Sequence, residues 1–197
     1  CAFELMSEFL AGTTSSSLYE ARLGQEKFGR ENHGYAVAYS DAEIREVVTL
    51  CDKMIFNSLS QFERFKRNCK GLSVGLRLNP EIGFSPHKLS NTVCEYSRLG
   101  VTAEKLSDEI IGSLDGVMFH VNCDNDDYSG FADQISVIEE RFGSVLEKMK
   151  WVSLGGGVAF TDDSYPLDDF VNRLSVFAET YQIQVYLEPG EAAVTGS

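Results

Sequence analysis

Trp151-Val152-Ser153-Leu154-Gly155-Gly156-Gly157-Val158 is the stretch whose reading decides the fold of this chain. An apolar, β-rich run, short enough to be a buried strand, stops at three consecutive glycines, where no side chain blocks approach to the backbone. Glycine reaches the positive-φ geometries in which successive N–H groups converge into a nest, and a nest suits a phosphate ester better than a metal or a base. A tight strand-to-loop turn without a ligand is the plainer alternative. It would be preferred for one glycine; three at the end of a hydrophobic strand favour phosphate.

Outward from this stretch the chain alternates. Apolar periodicity and stop signals predict helices over residues 1–10, 18–28, 41–51, 58–69, 103–113, 130–149 and 167–181. Strands are predicted over 12–17, 34–39, 54–56, 72–78, 117–121, 151–154 and 185–187. Ser40 with Glu43 forms a capping box ahead of the third helix, and Asn79-Pro80 ends the fourth strand because proline lacks a donor and fixes φ. Residues 81–99 form a longer irregular connection carrying Gly83, Pro86 and His87, an excursion of the kind that decorates a barrel mouth.

Seven strands alternating with helices are the signature of parallel βαβ units, hence an α/β fold. A TIM-type (β/α)8 barrel would lack only its first strand, and a barrel of about 250 residues is the usual size, so at 197 residues the domain is either small or incomplete. The glycine run then follows barrel strand seven and Glu188-Pro189-Gly190 follows strand eight, the two loops where phosphate sites on such barrels form. An open doubly wound sheet would carry its glycine loop after the first strand instead.

A net charge of −13 disfavours nucleic acid and anionic membranes as partners and is compatible with a cationic ligand. The five cysteines are odd in number and scattered, with no C-x-x-C pair, so neither a disulfide framework nor a zinc site is indicated and a reducing, cytoplasmic setting is expected. No segment approaches the roughly 18 apolar residues of a membrane span, and the first residues do not read as a signal peptide, so a soluble protein is expected.

Four strand ends present polar groups: Arg77, His120, the glycines and Glu188. Taken singly, Arg77 reads as a structural ion pair and His120 as a hydrogen-bonded core histidine. Glu188 after Val185-Tyr186-Leu187 is harder to dismiss, because a buried carboxylate is costly without a cationic partner. Asp124, Asp126 and Asp127 lack the glycine and glutamate pattern of a calcium loop and read as solvated acids, so no metal is expected. Phosphate nest, imidazole and carboxylate together suit pyridoxal phosphate: an anchor, a ring to stack on the cofactor, and an acid to keep its pyridine nitrogen protonated. No Schiff-base lysine is evident, since the eight lysines (27, 53, 66, 70, 88, 105, 148 and 150) fall in helices, turns or strand beginnings.

At this point a resemblance carries further. Gly12-Thr13-Thr14-Ser15-Ser16, Met54-Ile55-Phe56-Asn57-Ser58, Gly75-Leu76-Arg77-Leu78-Asn79-Pro80, Ser97-Arg98-Leu99-Gly100-Val101, Gly116-Val117-Met118-Phe119-His120, the glycine stretch and Leu187-Glu188-Pro189-Gly190-Glu191-Ala192 occur in one order over almost the whole chain. Together they resemble the carboxynorspermidine decarboxylase family of fold-type III pyridoxal phosphate enzymes, alongside the alanine racemase and ornithine decarboxylase barrels. The resemblance implies that His120 stacks on the cofactor ring, that Gly156, Gly157 and Gly190 bind its phosphate, that Glu188 pairs with the pyridine nitrogen, and that Arg77 lies beside the cofactor. Glu191 stands where the ornithine and diaminopimelate relatives carry arginine, and it is expected to contact substrate.

The resemblance further implies a polyamine-precursor substrate, a homodimer, a lysine ending a strand ahead of residue 1 and a C-terminal β-domain after residue 197, so that residues 1–197 form the pyridoxal phosphate barrel, strands two to eight, of a longer enzyme and are inactive alone. Two rivals stay open: another fold-type III decarboxylase, acting on diaminopimelate or ornithine, and a non-catalytic pyridoxal phosphate carrier on the same barrel.

Overall fold

A computed structural model of the chain describes residues 2–87, 91–94, 96–191 and 193–194; Cys1, Lys88 and Ala192, which enter the sequence reading, lie outside them. The chain divides into two compact units, Cys1–Arg77 and Leu78–Ser197.

The first unit runs α1 (Phe3–Phe9), β1 (Gly12–Ser15), α2 (Leu18–Leu23), β2 (Glu31–Ala36), α3 (Asp41–Val47), β3 (Lys53–Phe56), α4 (Leu59–Phe65) and β4 (Ser73–Arg77). Its strands pair in parallel in sequence order, with Gly12 opposite Glu31, His33 opposite Lys53 and Lys53 opposite Ser73. Met54, Ile55, Phe56 and Leu76 are fully buried, and Ala21, Ile44 and Phe62 reach the core from α2, α3 and α4, as near-continuous apolar strands covered by amphipathic helices require. The capping box of α3 forms as the sequence predicts: the Ser40 hydroxyl accepts the Glu43 N–H, and the Glu43 carboxylate accepts the Ser40 N–H.

β2 begins three residues before the predicted 34–39. Apolar alternation at Tyr35, Val37 and Tyr39 drew the expectation downstream, whereas the strand contains two buried polar residues, Asn32 and His33. Both are satisfied. The Asn32 amide donates to Ala21 O at 2.9 Å and Leu50 O at 3.1 Å and accepts from Ser15 and Thr13, which cancels the cost of its burial. His33 lies 2.5 Å from Glu31, whose carboxylate also takes Lys53.

The predicted 18–28 helix ends in a π-helical turn, Gly24–Phe28, stopped by Gly29 at φ +70°.

The second unit runs α5 (Asp108–Ile111), β5 (Gly116–Met118), α6 (Tyr128–Leu146), β6 (Trp151–Ser153), α7 (Leu167–Tyr181) and β7 (Gln184–Tyr186). β5 pairs β6 and β6 pairs β7, both in parallel. The predicted 103–113 helix is broken into a 3-10 turn, Ala103–Lys105, and the short α5, because the Ser107 hydroxyl accepts the Ile110 N–H and starts a new helix. α6 buries Phe131, Ile135, Ile138, Phe142 and Val145, one face of a 3.6-residue period, and Phe142 meets Phe119 edge-on with centroids 5.2 Å apart.

The irregular 81–99 segment is tied to β5's continuation: Phe84 N–H donates to Val121 O at 2.9 Å and Cys123 N–H to Phe84 O at 3.0 Å. Seven parallel strands alternating with helices, among the described residues, make the fold class α/β, with the βα repeat of a TIM-type (β/α)8 barrel.

Candidate functional site

The ladders of the second unit continue past the strand ends, and this continuation builds the site. Leu154 N–H donates to Tyr186 O at 2.9 Å, and two residues on Glu188 N–H donates to Gly155 O at 2.8 Å. On the other flank Phe119 N–H donates to Ser153 O at 2.8 Å. Parallel register therefore delivers His120 after β5, the glycines after β6 and Glu188 after β7 to one end of the sheet, the carboxyl end at which barrel sites form.

The loop itself is shaped by what glycine permits. Gly155 and Gly157 have φ of +70° and +80°, geometry that a side chain resists. A Cβ on Gly155 would overlap the His120 ring, one on Gly156 the Glu188 carbonyl oxygen, and one on Gly157 the Asn122 carbonyl oxygen. The bare backbone thus lies flush against three neighbours. Asn125 pins its far end, donating its N–H to Gly157 O at 2.8 Å and accepting the Ala159 N–H at 2.9 Å, while its side-chain amide donates to Asn122 at 2.8 Å.

His120 is half-buried, and its Nδ1 accepts the Gly156 N–H at 3.3 Å. Thr92 donates its hydroxyl to the His120 carbonyl at 3.0 Å, bracing the backbone that carries the ring. Glu188, also half-buried, accepts the Ser153 hydroxyl at 2.6 Å. The Gly157 N–H has no acceptor among the described residues, and nothing lies within 4 Å of the position a Gly190 Cβ would take. The Gly190 N–H turns back to Glu188 O at 2.8 Å. Phe131, Leu154, Phe160, Phe170, Leu187 and Pro189 line an apolar cleft around the glycines, with Phe160 and Phe170 stacked 5.5 Å apart.

Of the residues singled out from sequence, His120, Gly156, Gly157, Glu188 and Gly190 come together here. Glu191 is exposed beside them and within electrostatic reach of Cys123: desolvation first, then Asp124, and to a smaller degree Glu191 raise the Cys123 thiol above its ordinary range.

Arg77 ends β4 in the first unit. It is buried, donates to the Tyr35 hydroxyl at 2.6 Å and lies over the Tyr35 ring at 5.3 Å, and that hydroxyl in turn donates to Asn57 at 3.0 Å. Ser153, Asn122 and Asn125 were not singled out from sequence. Their signal was there in Ser153, the one polar residue of an apolar strand, since a hydroxyl in that place needs a partner.

An anion fits this arrangement: the Gly157 N–H is open among the described residues, the Gly156 N–H makes only a long contact to His120 Nδ1, and an imidazole and a carboxylate flank the loop. Pyridoxal phosphate, with an anionic ester at one end and a ring nitrogen at the other, matches that set of groups.

Residues 35–195 match the family described as pyridoxal-dependent decarboxylase, pyridoxal binding domain. The chain is similar to a carboxynorspermidine/carboxyspermidine decarboxylase of Herminiimonas arsenicoxydans, at 50% identity over 192 residues that cover 98% of this chain and 53% of the relative. It is similar at 34% identity to a carboxyaminopropylagmatine decarboxylase of Synechocystis, with 96% of this chain and 50% of the relative covered. Among solved structures, carboxynorspermidine decarboxylase from Campylobacter jejuni, complexed with norspermidine, superposes with a TM-score of 0.86 at 34% identity, over 98% of this chain and 49% of that one. The chain thus spans about half the length of the curated relatives it matches.

Proposed function

The chain belongs to the pyridoxal-dependent decarboxylases, through their pyridoxal-binding domain, and on that premise we propose that it is the cofactor-binding barrel of an enzyme decarboxylating carboxynorspermidine or carboxyspermidine in polyamine synthesis. The observation that carries the reading is the meeting of His120, the bare glycine loop and Glu188 at one end of three parallel strands. The names of the relatives support the substrate class.

When bound, pyridoxal phosphate supplies an electron sink for the electron pair left as carbon dioxide departs. The chain's own groups hold it in place for that. The N–H groups of Gly156, Gly157 and Gly190 bind the phosphate, Gly156 exchanging its 3.3 Å contact with His120 Nδ1 and Gly190 its 2.8 Å contact with Glu188 O for phosphate oxygens. His120 packs its imidazole against the ring, and Glu188 holds a proton at the pyridine nitrogen. Phe131, Phe160 and Phe170 set an apolar wall beside the glycines, and a low-dielectric wall strengthens a charged contact next to it. Glu191, exposed at the rim, meets an ammonium group of the substrate. Arg77 enters as a cofactor residue on the family resemblance alone. A homodimer and a cytoplasmic location complete the reading; the scattered spacing of the five cysteines, with no C-x-x-C pair, is what supports a reducing compartment.

The test is carbon dioxide release by the full-length protein, loaded with pyridoxal phosphate, from carboxynorspermidine, carboxyspermidine, diaminopimelate and ornithine. Turnover of a carboxylated triamine in preference to the amino acids is expected. Preference for diaminopimelate or ornithine would assign a different decarboxylase, and cofactor uptake with no release from any of the four would assign a carrier.

A further inference from the structure

We propose that Ser153 is a positioning residue that sets Glu188 and the glycine loop in register with each other, so that one buried hydroxyl aligns both ends of the cofactor site. The proposal rests on the reading of the site as a pyridoxal phosphate site.

Ser153 is the last residue of β6 and is fully buried, at 0% exposure. A hydroxyl in that position costs stability unless it is hydrogen-bonded on both its donor and its acceptor side. Both sides are used. The Ser153 Oγ accepts the Gly155 N–H at 3.2 Å, and its proton goes to Glu188 Oε1 at 2.6 Å. A serine hydroxyl has one proton, and with a backbone N–H aimed at its oxygen that proton is directed to the carboxylate. The length of the bond is that of a hydroxyl donating to a charged oxygen.

The direction of this chain of hydrogen bonds gives it a function. From Glu188, the bond restrains the rotation of the carboxyl group about its last torsion, a soft sp3–sp2 torsion that packing alone leaves broad. From Gly155, it holds the residue at φ +70° that starts the glycine loop and so sets the backbone that carries the Gly156 and Gly157 N–H groups. Glu188 is joined to the same loop a second time, through its own N–H to Gly155 O at 2.8 Å. Ring-nitrogen partner and phosphate nest are therefore clamped as one body, with Ser153 at its centre.

The experiment is a double-mutant cycle on the full-length protein with S153A, E188Q and S153A/E188Q, and S153C as a volume-conserving second variant. Cofactor affinity is read by fluorescence titration, the pH at which the long-wavelength absorbance of the bound cofactor titrates is read by spectrophotometry, and kcat is read with carboxynorspermidine. S153A is expected to weaken cofactor affinity and to lower kcat each by roughly 10-fold, the size of a hydrogen bond to a charged group. The absorbance titration should shift as well. S153C, a weaker donor, should fall between wild type and S153A.

In the E188Q background the S153A effect on kcat should shrink to within about 2-fold, because the residue acts through Glu188. An S153A effect of the same size in both backgrounds, or unchanged absorbance titration and kcat in S153A and S153C, would overturn the proposal. A wild-type protein that takes up no pyridoxal phosphate would overturn the cofactor reading along with it, so the two failures are told apart.

Discussion

Replacing Gly155 by alanine separates two costs that the glycine loop avoids. The residue sits at φ +70°, where an L-side chain costs about 1–2 kcal/mol. Its new Cβ would also meet His120 Cγ at 2.8 Å and Cα at 3.0 Å, so the ring must shift, and overpacking of that kind costs about 1–3 kcal/mol. The sum is about 2–5 kcal/mol.

Gly29 supplies the control, because its φ is also +70° and nothing lies within 4 Å of where its Cβ would go. Gly29→Ala therefore carries the backbone cost alone. Equilibrium urea denaturation of the full-length protein should give a loss of about 1–2 kcal/mol for Gly29→Ala and a larger one for Gly155→Ala. Titration with pyridoxal phosphate should give an unchanged affinity for Gly29→Ala and, with His120 displaced, a roughly 10-fold weaker one for Gly155→Ala, equivalent to about 1.4 kcal/mol. Equal stability losses together with equal cofactor affinities would refute the claim that Gly155 is bare in order to seat His120.

Glu188→Gln keeps the shape of the side chain and removes its charge, so the full-length protein should retain most of its cofactor while decarboxylation slows by on the order of 10²-fold; unchanged turnover would move the pyridine partner elsewhere. Glu191→Gln should lower kcat/KM for carboxynorspermidine roughly 10- to 150-fold with little change in cofactor absorbance, the loss of a charge-assisted hydrogen bond to an ammonium group. Loss of cofactor with unaltered kcat/KM at saturating cofactor would make it a cofactor residue instead. Burial, opposed by Glu31, holds the His33 imidazole below its ordinary value of 6.5. The unfolded chain then takes up the proton first, so stability falls as pH drops through the unfolded value, between about pH 7 and pH 5. His33→Gln should flatten that slope in denaturation curves, and an unaltered slope would assign it to other groups.

What the sequence made legible follows from periodicity. A strand buried on both faces is an apolar run, so the point where it stops can be read directly, and His120, Gly155 and Glu188 all stand at such points. Parallel alternation then places those points at one end of the sheet before any coordinate is known. The start of β2 was hidden by the same logic. Asn32 and His33 are buried inside the strand, and that is tolerable only because Ser15, Ala21 and Leu50, distant in sequence, bond Asn32 and the neighbouring Glu31 carboxylate bonds His33.

Ser153 was passed over for a related reason: a single hydroxyl in an apolar strand is unremarkable until Glu188, 35 residues on, is seen to accept it. The break in the 103–113 helix, by contrast, was readable, since Ser107 followed by Asp108 and Glu109 is an N-cap with acids in the first turn.

The most direct measurement is the structure of the full-length protein with pyridoxal phosphate bound. The phosphate oxygens should lie about 2.7–3.2 Å from the N–H groups of Gly156, Gly157 and Gly190, with His120 against the ring and a Glu188 oxygen at hydrogen-bond distance from the pyridine nitrogen. A phosphate seated away from the glycine loop, or a pyridine nitrogen facing any group other than Glu188, would contradict the account.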